Sequence, residues 1–428
     1  MTSLELSEMS GIEDGATEVV VKGMQLGPYL LRERLGIGGM ASVWTAIDDK
    51  GHGVVVKRIL PALAEDPEFV KMFEREAALS ARMRHPNIVR VFAHGDYEGV
   101  RYLTMEHLHG KDLASVMHEL SRSAANAPPP AGFGLFVARE LGRALSYVHA
   151  LADDNGQALD LIHRDVSLSN VMLGYDGAVK LVDFGVAKAL ADERSTRTQA
   201  GVLKGKWAYL APEQVTSGEV DQRADIFSLG IVLYEMVTGR RAFKAPSGIE
   251  TLQKVKAAQV LLPSAHNPAL PPELDAICMK ALARLPKDRY QTAAELVTAL
   301  DEVLAKLNFG APELALLMKR HFPEETRAFH KLQAQTPPGE WPMVPDEDGE
   351  TRPHPKLAAP LTLAELRAGK KSRQSRRTKR IALAAVLAIA AGGLVGWKLA
   401  GAQARATQAH RAEPHGAQPV APSRLALK

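Results

Sequence analysis

Two short motifs constrain this chain more than any other feature: HRDVSLSN at residues 163–170 and DFG at residues 183–185. The second begins 13 positions after the first ends. Between them, an Asp-Gly pair at residues 176–177 separates two apolar runs, which is a strong signal for a β-hairpin. That hairpin leads the chain directly into Asp183, so we expect this carboxylate to end a strand and both motifs to meet at one centre.

Three side chains from these motifs suit the transfer of a phosphoryl group. The reaction leaves a protein little covalent chemistry, so the protein positions a hydroxyl group, holds metal ions and neutralises charge on phosphate oxygens. We predict Asp165 as the group that orients the attacking hydroxyl and accepts its proton. Asn170 and Asp183 offer the oxygen ligands that Mg²⁺ prefers, and we predict them as its ligands.

Upstream, the segment LGIGGMASV at residues 35–43 predicts a phosphate-binding loop. Its glycines let the backbone lie close to phosphates and present N–H donors, although such a loop alone is weak evidence. Ala41 replaces the third glycine of the pattern, which reduces backbone freedom without removing a donor. The predicted nucleotide contacts here are Leu35, Gly36, Ile37, Gly38, Gly39 and Val43.

A single cation follows the loop. Residues 54–57, VVVK, have the pattern of a buried strand that ends in Lys57, which is placed to hold the α and β phosphates. Glu76 lies in the helical stretch that follows and is better placed than Glu74 to pair with Lys57. We therefore count Lys57 and Glu76 with Asp165 and Asn170 as catalytic residues.

These motifs, closed by Ala-Pro-Glu at residues 211–213, resemble those of bacterial eukaryotic-like (Hanks-type) serine/threonine protein kinases. The resemblance runs from about residue 26 to residue 307, and it implies an α+β, two-lobed protein kinase fold with a small β-rich N-lobe and a large helical C-lobe. It also implies ATP as the phosphoryl donor, Mg²⁺ or alternatively Mn²⁺ as the metal, and proteins bearing Ser or Thr as substrates.

The hydrophobic pattern agrees with two such lobes. The early part of the chain alternates or runs apolar in short segments, with one helical stretch at residues 68–83, and helical patterns dominate later. The expected strands of the first lobe are residues 30–35, 43–47, 54–59, 89–94 and 102–106.

The same resemblance implies an adenine pocket. Met105 takes the gatekeeper position, and residues Glu106 to Leu108 form the hinge. The walls of the purine site would be Leu35, Val43, Val55, Met172 and Val182. These five apolar residues would be assigned to the core even without the resemblance, so their assignment to the pocket depends on alignment to the motifs.

The activation segment should run over residues 183–213. Its hydroxyls at Ser195, Thr196 and Thr198 are candidate phosphorylation sites, with Thr196 and Thr198 preferred. By resemblance, Arg164 would receive the added phosphate, whose charge orders the segment. The alternative for the three hydroxyls is that they only make the exposed segment soluble. The alternative for Arg164 is that it forms a structural salt bridge.

Two further pairings follow from the resemblance and concern architecture. Glu213 is expected to pair with Arg289 in the large lobe. Asp225 is expected to accept backbone N–H groups of the catalytic loop. Neither pairing takes part in the chemistry.

Two departures from the family pattern are coupled. Ser167 stands where most serine/threonine kinases carry the lysine that touches the γ-phosphate, and Lys206 replaces the threonine that usually lies near that lysine. We hypothesise that the Lys206 ammonium reaches the space that Ser167 leaves. The alternative is a solvated lysine at position 206.

Residues 381–397 contain no charged side chain and predict a transmembrane helix, which Leu399 and Ala400 extend to residues 381–400. Basic residues crowd the preceding segment, 370–380, and the positive-inside rule places that side in the cytoplasm. We therefore expect a single-pass protein of the bacterial inner membrane with its kinase domain in the cytoplasm. A buried or interfacial helix, or a basic run that binds protein or nucleic acid, is the alternative.

The remaining segments lack a folding pattern. We expect a disordered N-terminus (1–25), a juxtamembrane linker with the basic run (308–380) and a short disordered tail outside the cytoplasm (401–428). A helical candidate at residues 312–321 opens the linker. The net charge of +4 gives no reason to expect nucleic-acid binding, and dimerisation through the span or the lobes stays open.

Two other functions remain as alternatives. In a pseudokinase, the absent catalytic-loop lysine would mark a nucleotide-binding scaffold that transfers nothing. A tyrosine kinase is disfavoured because the catalytic loop lacks the Ala-Ala-Arg or Arg-Ala-Ala sequence of that class.

Overall fold

Alternating apolar residues in the first part of the chain form an antiparallel sheet. The computed structural model describes residues 23–123, 129–153, 155–183, 203–216 and 218–335. The strands are β1 (Met24–Leu26), β2 (Tyr29–Ile37), β3 (Ala41–Ile47), β4 (Gly53–Ile59), β5 (Val91–Tyr97) and β6 (Val100–Glu106). They are ordered β1-β2-β3-β4-β6-β5, and the five strands expected from the sequence are confirmed with small shifts at their ends.

One helix packs on this sheet and carries Glu76. After the single turn α1 (Pro61–Ala64), helix α2 (Pro67–Ala81) begins where the Asp66 carboxylate accepts the Glu68 N–H. An aspartate cap followed by proline at the first helical position is a favourable helix start. Phe73 and Ala77 of α2 pack in one buried cluster with Val55 and Leu103 of the sheet, which fixes the helix against β4 and β6.

The second lobe is helical. Helix α6 (Arg223–Thr238) is buried from Ala224 to its end, as expected for a helix that is mostly apolar on every side and forms a core. The helices of this lobe are α3 (Leu113–Ser123), α4 (Ala131–His149), α5 (Pro212–Val215), α6 (Arg223–Thr238), α7 (Gly248–Ala257), α8 (Pro263–His266), α9 (Pro272–Ala281) and α10 (Ala293–Leu304).

A small sheet lies between these helices and the first lobe. It is ordered as strands β7 (Gly110–Asp112), β8 (Val171–Gly174) and β9 (Val179–Leu181). The predicted hairpin is confirmed, because β8 and β9 are joined through Asp176 and Gly177. Gly177 has φ +88°, and an added Cβ there would overlap the Ala311 carbonyl, so both the backbone and the available space require glycine.

Hydrogen bonds join β9 to the first lobe just before Asp183. The Leu181 N–H donates to the Asn87 carbonyl at 2.8 Å, and the Val89 N–H donates to the Leu181 carbonyl at 3.0 Å. The strand that leads to Asp183 is therefore attached to the segment that enters β5. This attachment positions Asp183, which follows β9, next to the first lobe.

The segment expected to be a linker, 308–380, begins instead with two helices. Helix α11 (Ala311–His321) matches the predicted helical candidate, and α12 (Pro323–Gln335) was not predicted. Leu314 and Met318 of α11 are buried. Residues 311–321 and 323–335 of the predicted linker are therefore helical, and residues 336–380 lie outside the described part of the chain.

Helix α12 docks beside the hinge through an aromatic side chain. The buried Phe329 ring lies 5.6 Å from the His109 ring and 6.0 Å from the Tyr175 ring, measured between centroids. Lys111 of β7 reaches Glu325 at 3.2 Å. The His107 ring lies 4.4 Å from the His109 ring between centroids, and burial, followed by the charge of that neighbour, lowers the pKa of His107 to about 4, so His107 is uncharged at neutral pH.

No helix within the described residues is long and apolar enough to cross a bilayer. The predicted span at residues 381–400, the tail at 401–428 and the candidate phosphorylation sites Ser195, Thr196 and Thr198 lie outside those residues, as does nearly all of the predicted disordered N-terminus.

The docking of α12 can be tested by Phe329→Ala. Removal of a buried phenyl ring typically costs about 3–5 kcal/mol, and the loss should fall on the packing of α12. We expect hydrogen-exchange protection of residues 323–335 to drop while that of α6 is retained. The control is Leu316→Ala on α11, where the side chain is exposed. Unchanged protection in Phe329→Ala would contradict the docking.

Candidate active site

The ammonium of Lys57 is shared by two carboxylates. Strand β4 places Lys57 opposite Val43 of β3 and Leu103 of β6. Its Nζ lies 2.7 Å from Glu76 Oε1 and 2.7 Å from Asp183 Oδ1. Burial disfavours the ammonium, but the two carboxylates outweigh burial and raise the pKa of Lys57, so the lysine is a permanent cation in this site.

Glu76, not Glu74, is the partner of Lys57, as the sequence indicated. Glu76 faces the sheet and is buried, whereas Glu74 lies on the outer side of α2 and accepts from Arg101 Nε at 2.8 Å. Burial, and then the nearby Asp183, raises the pKa of Glu76, while Lys57 opposes that shift. The cluster is therefore held together by one cation between two acidic groups.

The catalytic loop is shaped by Asp225 of α6. Its carboxylate accepts the His163 N–H at 2.7 Å and the Arg164 N–H at 2.8 Å, and it lies 2.9 Å from His149 Nε2. Burial would raise the pKa of Asp225, but the His149 hydrogen bond and the other donors outweigh burial and lower it. The pairing of Asp225 with the loop backbone that the resemblance implied is present.

Two residues of the site have left-handed backbone. Arg164 has φ +66° and Asp183 has φ +54°, which costs a non-glycine residue about 1–2 kcal/mol. The bonds to Asp225 hold Arg164, and the ion pair to Lys57 holds Asp183. Such strain is typical of sites where position matters more than local stability.

Asn170 connects the catalytic loop to the hairpin that ends in Asp183. Its Nδ2 donates to the Asp165 carbonyl at 2.8 Å, and its own carbonyl accepts the Val182 N–H at 2.9 Å. The amide oxygen of Asn170 is thereby directed away from the Asp165 backbone. Asp183, the residue after Val182, offers carboxylate oxygens. This pair of oxygen donors fits Mg²⁺, which proteins often hold with one or two side chains together with substrate phosphates.

Lys206 reaches Asp165, the predicted proton acceptor. It lies in a short 3-10 helix, Leu203–Tyr209, and its Nζ is 2.7 Å from Asp165 Oδ2 and 3.3 Å from Asn170 Oδ1. Ser167 is buried, and its hydroxyl lies 3.2 Å from that of Ser169. The structure thus brings the Lys206 ammonium to Asp165 and Asn170, the two residues on either side of Ser167 in the catalytic loop.

The predicted adenine contacts come together in part. Val55 and Met105 are buried in one cluster, with Val43, Leu108 and Val182 packed against it. Met172 lies on β8, at the register position opposite Asp112 of β7, and its contact with adenine stays a prediction.

Glu106 turns its side chain out of the predicted pocket. Its Oε1 accepts from Lys180 Nζ at 2.6 Å and from the Arg90 N–H at 2.8 Å, while its own N–H donates to the Arg90 carbonyl. The Glu106 carboxylate therefore stabilises the hinge, and a ligand could contact only the backbone of this residue. Nothing in the spacing of residues 90, 106 and 180 identified this network.

The glycine-rich segment forms the turn between β2 and β3. The Gly38 N–H donates to the Ala41 carbonyl at 2.8 Å, so this donor closes the turn here and is not presented to a phosphate. Leu35 and Ile37 are 52% and 58% exposed, and Gly36 has open space where a Cβ would be. Gly36 belongs to the end of β2, where it pairs with Val43 of β3, and Gly39 lies in the turn itself.

The Glu213–Arg289 pair lies away from the chemistry, as the resemblance implied. Arg289 Nη1 and Nη2 donate to the two carboxylate oxygens at 2.8 and 2.7 Å, and the arginine is fully buried. The carbonyls of Ala283, Arg284 and Arg223 accept its remaining donors. This pair joins the end of the activation segment to the core of the large lobe.

The profile of the protein kinase domain matches residues 29–300. The chain is 41% identical over 305 residues to tyrosine-protein kinase MasK of Myxococcus xanthus, covering 70% of this chain and 47% of MasK. It is 38% identical over 273 residues to serine/threonine-protein kinase PknB of Mycobacterium tuberculosis, covering 63% of this chain and 41% of PknB. The crystal structure of the M. tuberculosis PknI kinase domain has 28% identity and a TM-score of 0.49, covering 66% of this chain and 98% of that domain.

This chain belongs to the protein kinase family. Its β-rich first lobe and helical second lobe are the N-lobe and C-lobe of the two-lobed protein kinase fold, and its homologues include bacterial Hanks-type serine/threonine kinases. Members of the family use ATP and a divalent metal ion, usually Mg²⁺. The chain spans less than half the length of these two curated relatives.

Replacement of Lys57 tests the centre of the site. Lys57→Met leaves Glu76 and Asp183 without their shared cation, so we expect kcat/KM for phosphoryl transfer to fall by about 10²-fold or more. The matched control is Lys50→Met, an exposed lysine in the β3–β4 turn, which should keep wild-type turnover. Equal activity of the two variants would remove Lys57 from the catalytic set.

Proposed function

We propose that this chain transfers the γ-phosphoryl group of Mg·ATP to serine or threonine hydroxyls of proteins. The observation that carries the proposal is the Lys57 ammonium held at 2.7 Å from both Glu76 and Asp183. This contact joins the phosphate-binding lysine to the metal-binding carboxylate across the two lobes. It is the arrangement that nucleotide binding and transfer require in this family.

Each residue has a defined task in the transfer. Asp165 orients the substrate hydroxyl and accepts its proton, Lys57 holds the α and β phosphates, and the backbone around Gly36 covers them. Mg²⁺ held by Asn170 and Asp183 would neutralise charge on the phosphate oxygens. Glu76 fixes Lys57 in place, so the position of α2 determines whether the lysine is available.

The names of the relatives point to different acceptor hydroxyls. PknB is named a serine/threonine kinase, and the catalytic loop of this chain lacks the sequence typical of tyrosine kinases. MasK, at 41% identity, is named a tyrosine kinase, so transfer to tyrosine is the second candidate. We favour serine and threonine because residues 163–170 carry Ser-Leu-Ser where tyrosine kinases have their arginine-containing sequence.

We also propose that the kinase phosphorylates its own activation segment at Thr196 or Thr198, or at Ser195. A phosphate there would add negative charge near Arg164, which directly precedes Asp165. The pairing would link the modification to the catalytic loop. This proposal rests on the sequence of the segment and on the family resemblance.

The test is incubation of the full-length chain with labelled ATP, Mg²⁺ and a generic protein substrate, followed by phosphoamino-acid analysis. We expect phosphoserine and phosphothreonine in the substrate, and phosphothreonine in the chain itself. Asp165→Asn should lower the rate by about 10²–10⁴-fold because the proton acceptor is lost. Phosphotyrosine alone would favour the second candidate, and no transfer despite ATP binding would favour a pseudokinase scaffold.

We further propose that residues 381–400 anchor the chain in the bacterial inner membrane, with the kinase domain in the cytoplasm. Support comes from the uncharged run at 381–397 and the basic segment that precedes it.

Alkaline extraction of membranes tests this anchor. The wild-type chain should stay in the membrane fraction, and Ile389→Arg, at the middle of the run, should reduce retention, because a charge there costs about 2.5–3.5 kcal/mol on insertion. Ala404→Arg, beyond the run, is the control. Release of the wild-type chain by alkali would show that the run does not span the bilayer.

A further inference from the structure

The catalytic loop of this chain has no cation of its own between the base and the metal ligand. Residues 166–169 are Val-Ser-Leu-Ser, and the buried Ser167 hydroxyl is 3.2 Å from the Ser169 hydroxyl. Charge on a phosphoryl group in transfer is stabilised by fixed positive groups close to it. Lys57 is committed to the other side of the site, where it contacts Glu76 and Asp183. A second side-chain cation beside Asp165 would therefore have to come from another part of the chain.

Lys206 lies where that cation is needed. Its Nζ is within 2.7 Å of Asp165 Oδ2 and 3.3 Å of Asn170 Oδ1. In the proposed function, Asp165 orients the attacking hydroxyl and Asn170 holds the metal. A group that contacts both side chains therefore lies beside the phosphoryl group during its transfer from ATP to the hydroxyl. A fully solvated lysine, the alternative left open by the sequence, would not be held at these distances from both residues.

We infer that the Lys206 ammonium acts as the catalytic cation, in place of a lysine at position 167. The inference rests on the proposed kinase function. As the substrate hydroxyl oxygen bonds to the γ-phosphorus, the bond from that phosphorus to the bridging oxygen of ADP breaks and ADP takes the electron pair. The hydroxyl proton passes to Asp165, and Lys206 neutralises charge on the oxygens of the moving group.

The packing of residues 207–209 explains how Lys206 is held. An added Cβ on Gly248 of α7 would overlap the Trp207 ring, so that ring lies directly on the helix start. The Tyr209 hydroxyl donates to Glu235 Oε2 at 2.8 Å, and Ser228 Oγ donates to the Tyr209 carbonyl at 2.7 Å. Lys206 is thus anchored from its C-terminal side to the core of the large lobe.

This origin of the cation has a consequence for activation. A lysine at position 167 would belong to the catalytic loop, which Asp225 holds in place. Lys206 belongs to the activation segment, so the positive charge is complete only when residues 203–209 are packed on α6 and α7. Ordering of the segment and completion of the catalytic charge are then a single event.

The test is a charge relocation in the full-length protein, using steady-state kinetics and ATP affinity measured separately. Lys206→Met keeps most of the side-chain length without charge, and we expect kcat to fall by about 10²-fold or more with ATP affinity nearly unchanged. Adding Ser167→Lys to Lys206→Met should restore at least about tenfold of the lost kcat, since it returns a cation to the same space. Lys306→Met, at an exposed surface pair with Glu273, is the control.

The possible outcomes distinguish a failure of the proposed kinase function from a failure of the inference about Lys206. No transfer by the wild-type chain would refute the proposed function and this inference with it. An active wild type with Lys206→Met within about threefold of it in kcat would refute the inference alone. A loss that Ser167→Lys does not repair would also refute it, because Lys206 would then only position Asp165. If Lys206→Met is unstable by thermal unfolding, Lys206→Arg is compared with Lys206→Gln, and equal kcat in that pair excludes a role for the charge.

Discussion

The site depends first on one ammonium group that three distant parts of the chain share. Lys57 on β4 reaches Glu76 on α2, 19 residues away, and Asp183 after β9, 126 residues away, each at 2.7 Å. Two carboxylates that close would repel each other without the cation between them. The lysine thus fixes α2 and Asp183 relative to the sheet. Because the contact crosses both lobes, any movement of α2 or of the Asp183 backbone shifts the Lys57 ammonium.

The second constraint is a buried carboxylate that never touches the reaction. Asp225 lies on α6, which is buried along its length, and it accepts the N–H groups of His163 and Arg164. An ionised buried carboxylate is tolerated only where donors satisfy it. Here those donors belong to the catalytic loop, so the cost of burying the charge is offset by fixing the backbone that carries Asp165. The left-handed conformation of Arg164 is held by the same bonds.

The sequence predicted what depends on short spacing and polar type, and it missed what depends on tertiary contact. Strands of the N-lobe, the Asp-Gly hairpin and the choice of Glu76 over Glu74 could be predicted because pattern and position on α2 determine them. Helix α12 was missed because its sequence is mostly polar, and Phe329 is its one buried apolar side chain. The bond between Glu106 and Lys180 was missed for the same reason: 74 residues separate the partners and no motif contains both.

Lys206 stands between these two cases. Its departure from the family pattern has a meaning only together with that of Ser167. Each change alone looks like the loss of a side chain that the family usually carries. The structure adds the distance of 2.7 Å to Asp165, which no alignment supplies. A kinase that takes its second cation from the activation segment keeps the same charge at the phosphoryl group but changes what that charge depends on. The catalytic loop then holds the base and one metal ligand in place, and the fold of residues 203–209 determines whether the positive charge beside them is present.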